Sequence, residues 1–376
     1  MKKVVIFTLQ LKTPGGIERF VTTLASILSE DYKVEIVANY GKSNDYLAFP
    51  LPENVDLKFL TPTQPEEISM KRLITNLKWH RIPTEIIRRI RINHTRNQAF
   101  KTTLANLSAD FIITDRALYN SLINKFYHGP AKKIATDHNF HQFNQKYINN
   151  LLKSLNGFDA LVVATEELYT FYKPKIAPTK CFCIPNPLDN IPTKKSQLNT
   201  KNILSVGRLV PEKDFPTLLK IMDNIAKEDT DIHLTIIGEG NERANLENLI
   251  ENYHLSSRVT LTGALPQSEI AKYYLDSSLF VLTSKTEAFG LVLTEAMSYG
   301  VPCIAFDRSS GARAQITDKT GFLIKNSDLK EMARTIIILL NNKDTLKRLQ
   351  KNINSEITTK YNEESIRQSW QKVLQA

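Results

Sequence analysis

The chain has 376 residues, 42% of them hydrophobic, a length that one core rarely serves and that points to two domains. No run of about 18 apolar residues occurs, so no membrane-spanning helix is expected. The net charge of +10 is uneven, because Lys71 to Lys101 holds nine Lys/Arg against one acid, Glu85.

The opening run Val4–Phe7 ends at Leu9 with no small-residue cleavage site after it, so it reads as a first strand and not as a secretory leader. Strands are predicted at Lys3–Leu9, Lys33–Ala38, Val55–Leu60, Asp110–Thr114, Lys133–Thr136, Ala160–Ala164 and Lys180–Ile184. Helical spacing covers Ile17–Leu28, Arg96–Leu107 and Gln142–Leu155. Cys181 and Cys183 alternate along a strand with no second pair to complete a zinc site. With Cys303 they read as reduced structural thiols of a cytoplasmic protein.

A polar stretch from Asp189 to Thr200 reads as a linker. The alternation then restarts, with strands at Asn202–Val206, His233–Ile237, Val259–Leu261, Leu279–Leu282, Pro302–Ala305 and Gly321–Ile324. Helices are predicted at Phe289–Tyr299, Leu329–Leu340, Asp344–Ile353 and Glu363–Leu374. Two blocks of alternating strand and helix imply an α/β architecture with two doubly wound parallel sheets. The expected division is 1–186, a linker over 187–200, and 201–357, with a helix over about 358–376 returning to the first domain.

In such sheets ligands bind at the carboxyl ends of strands, so the loops that follow strands carry the functional signal. Gly15 and Gly16 open a helix after the first strand, and His138 follows the Lys133–Thr136 strand. In the second block Gly207-Arg208 and Lys213 follow the first strand. Arg supplies a forked donor and Lys a point charge, a pair suited to gripping a diphosphate. Gly238 lies in the next strand-end loop, and Gly263 and Leu265 in the one after it. Glu287 and Glu295 stand eight positions apart around Gly290. A phosphate at the helix start and hydroxyls near the two acids would satisfy both features, as a nucleotide sugar does. Asp229 and Asp231 match a two-aspartate metal pattern, but they precede their strand and so lie at the wrong end of the sheet.

These residues resemble the retaining GT-B glycosyltransferases of family GT4. The resemblance rests on Gly207-Arg208 with Pro211-Glu212-Lys213, and on Glu287-Ala288-Phe289-Gly290 through Glu295-Ala296-Met297. It continues in Gly300-Val301-Pro302-Cys303-Ile304-Ala305 and includes Gly15-Gly16 and Ile184-Pro185-Asn186-Pro187. The resemblance implies two Rossmann-like domains facing a cleft, the first for an acceptor and the second for a donor. It implies catalytic roles for Arg208, Lys213, Glu287 and His138. Donor contacts would come from Gly15, Gly16, Gly207, Gly238, Gly263, Leu265, Phe289, Gly290, Leu291, Val292 and Glu295. No metal or cofactor is implied, with the nucleoside-diphosphate sugar, a UDP-sugar by preference, as co-substrate. The sequence departs from the family at Asp214, at Ala288 and through Asp307–Gln315.

Within the basic stretch, Trp79, Ile82, Ile86 and Ile90 keep helical spacing, with Arg81, Arg88 and Arg91 on another face and Arg89 adjoining. That is the pattern of a cationic helix lying on anionic lipid. No nucleic-acid module accompanies the charge. The expected activity is transfer of a hexose to a lipid-linked saccharide, surface polysaccharide or glycolipid at the inner face of the plasma membrane. The alternatives are a non-catalytic GT-B-shaped partner subunit, or a phosphorylase or epimerase on the same fold.

Overall fold

The computed structural model describes residues 1–42, 45–62, 82–139, 144–325 and 328–376. The chain divides into two compact units. The first contains Met1–Val163, Tyr169–Cys183 and Ser369–Ala376, and the second Ala164–Leu168 and Ile184–Gln368.

The first unit is built on seven parallel strands: β1 (Lys3–Thr8), β2 (Lys33–Tyr40), β3 (Val55–Thr61), β4 (Phe111–Thr114), β5 (Lys132–Asp137), β6 (Ala160–Val163) and β7 (Lys180–Cys183), in the order β3-β2-β1-β4-β5-β6-β7. The central strands are apolar on both faces: Val4 to Phe7 and Ile112 to Ile113 are all buried. This is the signature of a sheet covered by helices on each side. The second unit repeats the plan with β8 (Asn202–Val206), β9 (His233–Ile237), β10 (Val259–Gly263), β11 (Leu279–Leu282), β12 (Cys303–Phe306) and β13 (Gly321–Ile324), in the order β10-β9-β8-β11-β12-β13. In each sheet the chain steps outward from its first strand, returns, and builds the other half on the opposite side. The fold is GT-B.

Several elements differ from the sequence reading. The amphipathic stretch and Arg96–Leu107 form one continuous helix, Ile82–Ala105. Pro83 sits at its start, where the missing N–H costs nothing, and no Gly or Pro interrupts it afterwards. The helix from Asp344 runs on to Lys360. The stretch read as a linker packs on the second unit: Ser196 Oγ donates to Ser277 O at 2.7 Å, Gln350 Nε2 donates to Ser196 O at 2.8 Å, and Leu198 is buried. In the helix Glu363–Gln375, Trp370 is buried and its ring lies 6.4 Å from that of Phe20.

Candidate active site

The second sheet changes direction between β8 and β11, and at such a point the loops leaving the two strands diverge to open a crevice. The loop after β8 makes one tight turn, Pro211–Lys213, and ends at Asp214 in the left-handed region with φ 53°. It is fastened to the loop after β11 by Lys285 N, which donates to Glu212 O at 2.8 Å, and by Thr283 Oγ1, which lies 3.2 Å from Lys213 O and 3.1 Å from Asp214 O as donor. The result brings together residues 74 positions apart: the Lys213 ammonium donates to the Glu287 carboxylate. Their side chains are only 19% and 11% exposed. Arg208, on the same loop, is exposed and makes no ion pair among the described residues.

The expected helix Phe289–Tyr299 begins later and spans Leu291–Ser298. Gly290 is its N-cap, with φ 81° and ψ 65°, a conformation that a side chain would strain. Phe289 is therefore a loop residue, and its ring is buried in the core of the second unit. Leu291 and Val292 form the first turn, where amides lack helical partners. Glu295 is buried, and the Tyr274 hydroxyl donates to its Oε2 at 2.9 Å. Tyr274 is itself held by stacking on Tyr299, with ring centroids 5.1 Å apart. The sequence reading missed Tyr274; no spacing rule links a tyrosine to an acid 21 residues later.

The glycines divide by role. A Cβ on Gly238 would lie 1.9 Å from Gly207 O, so bare backbone is needed where the β8 and β9 ends touch. Gly263 has φ +81° and its carbonyl accepts from Gly238 N at 3.0 Å, which ties the three strand-end loops together. Leu265 packs partly buried on the core of the second unit. Two of the departures from the family pattern compensate each other. Asp214 pairs with Arg308 at 2.9 Å, and both side chains are largely buried. Arg308 thereby offsets an extra acid beside Lys213. Asp229 is occupied by Lys201 at 2.7 Å and Asn341 at 3.0 Å. No three-residue metal cluster occurs among the described residues.

In the first unit the equivalent change of direction lies between β1 and β4. Gly15 caps the helix Gly16–Leu28, and a Cβ there would sit 2.3 Å from a Glu18 carboxylate oxygen. Beside it, Asp115 accepts from Thr8 Oγ1 at 2.7 Å and from Arg116 Nε at 2.8 Å. Burial pushes the Glu18 carboxyl above its ordinary value, and the Asp115 charge adds to this. The sequence reading missed Glu18, Asp115 and Arg116, although the strand-end rule applied to β4 would have found the last two. His138 has its Nε2 2.8 Å from Thr136 Oγ1 and its ring 4.2 Å from Phe20. Its Nδ1 is buried and has no hydrogen-bond partner among the described residues. Burial lowers its pKa to about 4, so the imidazole is neutral at pH 7.

Trp79 and Arg81 lie outside the described residues. Arg88 and Arg89 do not form a simple solvated cationic face. Both grip Glu85, at 2.7 and 2.9 Å, and hold that carboxyl well below the usual range. Arg91 is exposed, and so are Ile86, Ile87 and Ile90 at 42%, 51% and 61%. No described helix is long and apolar enough to cross a membrane.

Residues 189–356 match the family described as Glycosyl transferases group 1. A Haemophilus influenzae protein named uncharacterized glycosyltransferase is 28% identical over 100% of both chains. A Campylobacter jejuni enzyme is 27% identical over 94% of this chain and 93% of its own; it is named N-acetylgalactosamine-N,N'-diacetylbacillosaminyl-diphospho-undecaprenol 4-alpha-N-acetylgalactosaminyltransferase. The crystal structure of a mutant of S. aureus TarM in complex with Fondaparinux, alpha-GlcNAc-glycerol and UDP superposes with a TM-score of 0.81 at 18% identity, covering 100% of each chain.

Proposed function

We propose that this chain is a retaining hexosyltransferase using a UDP-sugar, a reading supported by the match of residues 189–356 to the Glycosyl transferases group 1 family and by the GT-B fold. The observation that carries the reading is the meeting of Lys213 and Glu287 at the β8/β11 change of direction, beside a helix start capped by Gly290. A cation, a carboxylate and unpaired amides within one loop cluster suit a ligand that is phosphate at one end and polyhydroxylated at the other. UDP in the TarM complex supports the choice of nucleotide. The undecaprenol-linked substrate in the name of the Campylobacter relative supports a lipid-linked acceptor.

The chemistry follows from the side chains. As the anomeric carbon–phosphate oxygen bond breaks, charge gathers on the diphosphate, and Arg208 and Lys213 stabilise it more than the intact donor. The amides of Leu291 and Val292 add fixed dipoles. Glu295, aligned by Tyr274, accepts from the ribose hydroxyls, while Glu287 holds the sugar. The acceptor hydroxyl attacks from the face the diphosphate leaves, and its proton passes to the leaving phosphate oxygen. No metal is required in this scheme. His138, being neutral, acts within the first unit as a hydrogen-bond partner and not as a cation. A non-catalytic partner subunit would have little use for a Lys213–Glu287 pair held this far from solvent.

Purified protein with UDP-hexoses and an undecaprenyl-diphosphate saccharide should yield a product with the donor's anomeric configuration, read by NMR. An inverted product, or a sugar phosphate formed with inorganic phosphate, would overturn the assignment. The acceptor proposal extends to the inner membrane face through the exposed isoleucines of the helix Ile82–Ala105. Flotation with anionic liposomes should fall sharply when Ile87 and Ile90 are both changed to Glu. Undiminished flotation removes the membrane from the account.

A further inference from the structure

The segment after β12 departs furthest from the family pattern, and it touches one loop in a systematic way. Gly311 N donates to Glu287 O at 3.1 Å. Ser310 Oγ lies 3.4 Å from Ala288 O as donor. Gln315 Nε2 donates to Phe289 O, and to Gly290 O at 3.3 Å. Four consecutive carbonyls, 287 to 290, are thus taken up by one six-residue stretch, Ser310–Gln315. Gln315 is fully buried, and its Oε1 accepts from Thr294 Oγ1, which fixes the amide with Nε2 toward the loop. Gly311 has no room for a side chain, since a Cβ would sit 2.3 Å from Phe289 O.

A trans peptide directs each carbonyl and the following N–H oppositely. With carbonyls 287 to 290 turned toward Ser310–Gln315, the N–H groups of Ala288, Phe289, Gly290 and Leu291 point the other way. None of these four donates a hydrogen bond among the described residues. A row of amides facing one direction is a concave electropositive surface, whereas the same loop flipped would present carbonyl oxygens.

We infer that Gln315, with Ser310 and Gly311, is a positioning element for donor binding: it turns four carbonyls inward so that the amides of residues 288–291 face the nucleoside diphosphate. This rests on the nucleotide-sugar reading above and explains how a chain that departs from the family in Asp307–Gln315 keeps the loop in place. Gln315 touches no substrate and acts through the loop.

The test is UDP affinity by calorimetry, with donor KM and kcat, for Q315M and Q315E beside wild type, at a temperature where each is folded by circular dichroism. Q315M should weaken UDP about tenfold and raise donor KM, since about 1.4 kcal/mol of donor alignment is lost. Q315E should be weaker still at pH 8, where a carboxylate faces carbonyl oxygens. It should recover toward wild type at pH 5.5, as the protonated acid again donates a bond. A purely structural role would lower Tm and leave the UDP affinity of the folded fraction and its pH dependence unchanged. Should Q315M fail to fold, S310A removes only the bond to Ala288 and should weaken UDP about threefold. Folded Q315M within twofold of wild type, or S310A with unaltered affinity, overturns the inference. Wild-type protein that binds no nucleotide contradicts the functional reading instead.

Discussion

Lys213→Ala probes the site where its two halves meet. The ammonium bonds to Glu287, and neither side chain is more than 19% exposed. Removal therefore has two consequences. The developing charge on the leaving diphosphate loses a cation, a loss comparable with that of an oxyanion-hole donor, about 2.7–4 kcal/mol. The Glu287 carboxylate also loses its counter-charge and faces the incoming donor alone. At an effective dielectric near 20, two like charges about 5 Å apart repel by roughly 3 kcal/mol before solvent screening reduces it. The expected outcome is a fall in kcat/KM of about 100- to 1,000-fold, with weaker UDP binding. The double variant Lys213→Ala/Glu287→Gln separates the two consequences. It should regain part of the UDP affinity by removing the unpaired charge, while turnover stays low. The assays are titration calorimetry with UDP and initial rates of sugar transfer. Near-normal turnover in the single variant, or weaker UDP binding in the double than in the single, would refute the reasoning.

Three further outcomes follow from the geometry. Tyr274→Phe removes the 2.9 Å bond to Glu295 and should raise the donor KM several-fold, at a cost of about 1 kcal/mol, visible in rates against donor concentration. Trp370→Ala empties a fully buried site near Phe20 and should destabilise by about 3–5 kcal/mol, measured by denaturant unfolding. His138 binds its proton less readily folded than unfolded, so stability should decline as pH falls from about 6.5 to about 4 and then level off. His138→Gln should flatten that part of the profile relative to wild type, and an unchanged slope would show that the imidazole is not held neutral.

The strands were legible because parallel strands covered on both faces become continuous apolar runs, as in Val4–Phe7 and Leu279–Leu282. The strand-end rule then isolated Lys213 and Glu287 without any knowledge of contact. Three kinds of feature were not legible. The helix after β11 starts at Leu291 because Gly290 takes a left-handed conformation, and composition alone assigns Phe289 to either side of that boundary. The Asp214–Arg308 pair spans 94 positions, so each residue looked like an isolated departure from pattern. Gln315 read only as the end of a departure from the family pattern; its burial was not legible, because its partners are backbone carbonyls that no side-chain pattern reveals. The ion pairs of the basic stretch also went unread: Glu85 lies three and four residues before Arg88 and Arg89, the spacing that lets one acid hold both.

The central claim is that the loops after β8 and β11 form a seat for a sugar-bearing pyrophosphate. Calorimetric titration of the intact chain with UDP, UDP-glucose and UMP, repeated with Arg208→Ala/Lys213→Ala, tests it directly. The account predicts that both diphosphates bind, that UMP binds much more weakly, and that the double variant loses the preference for the second phosphate. Equal binding of UMP and UDP, or a preference that survives loss of both cations, would contradict it.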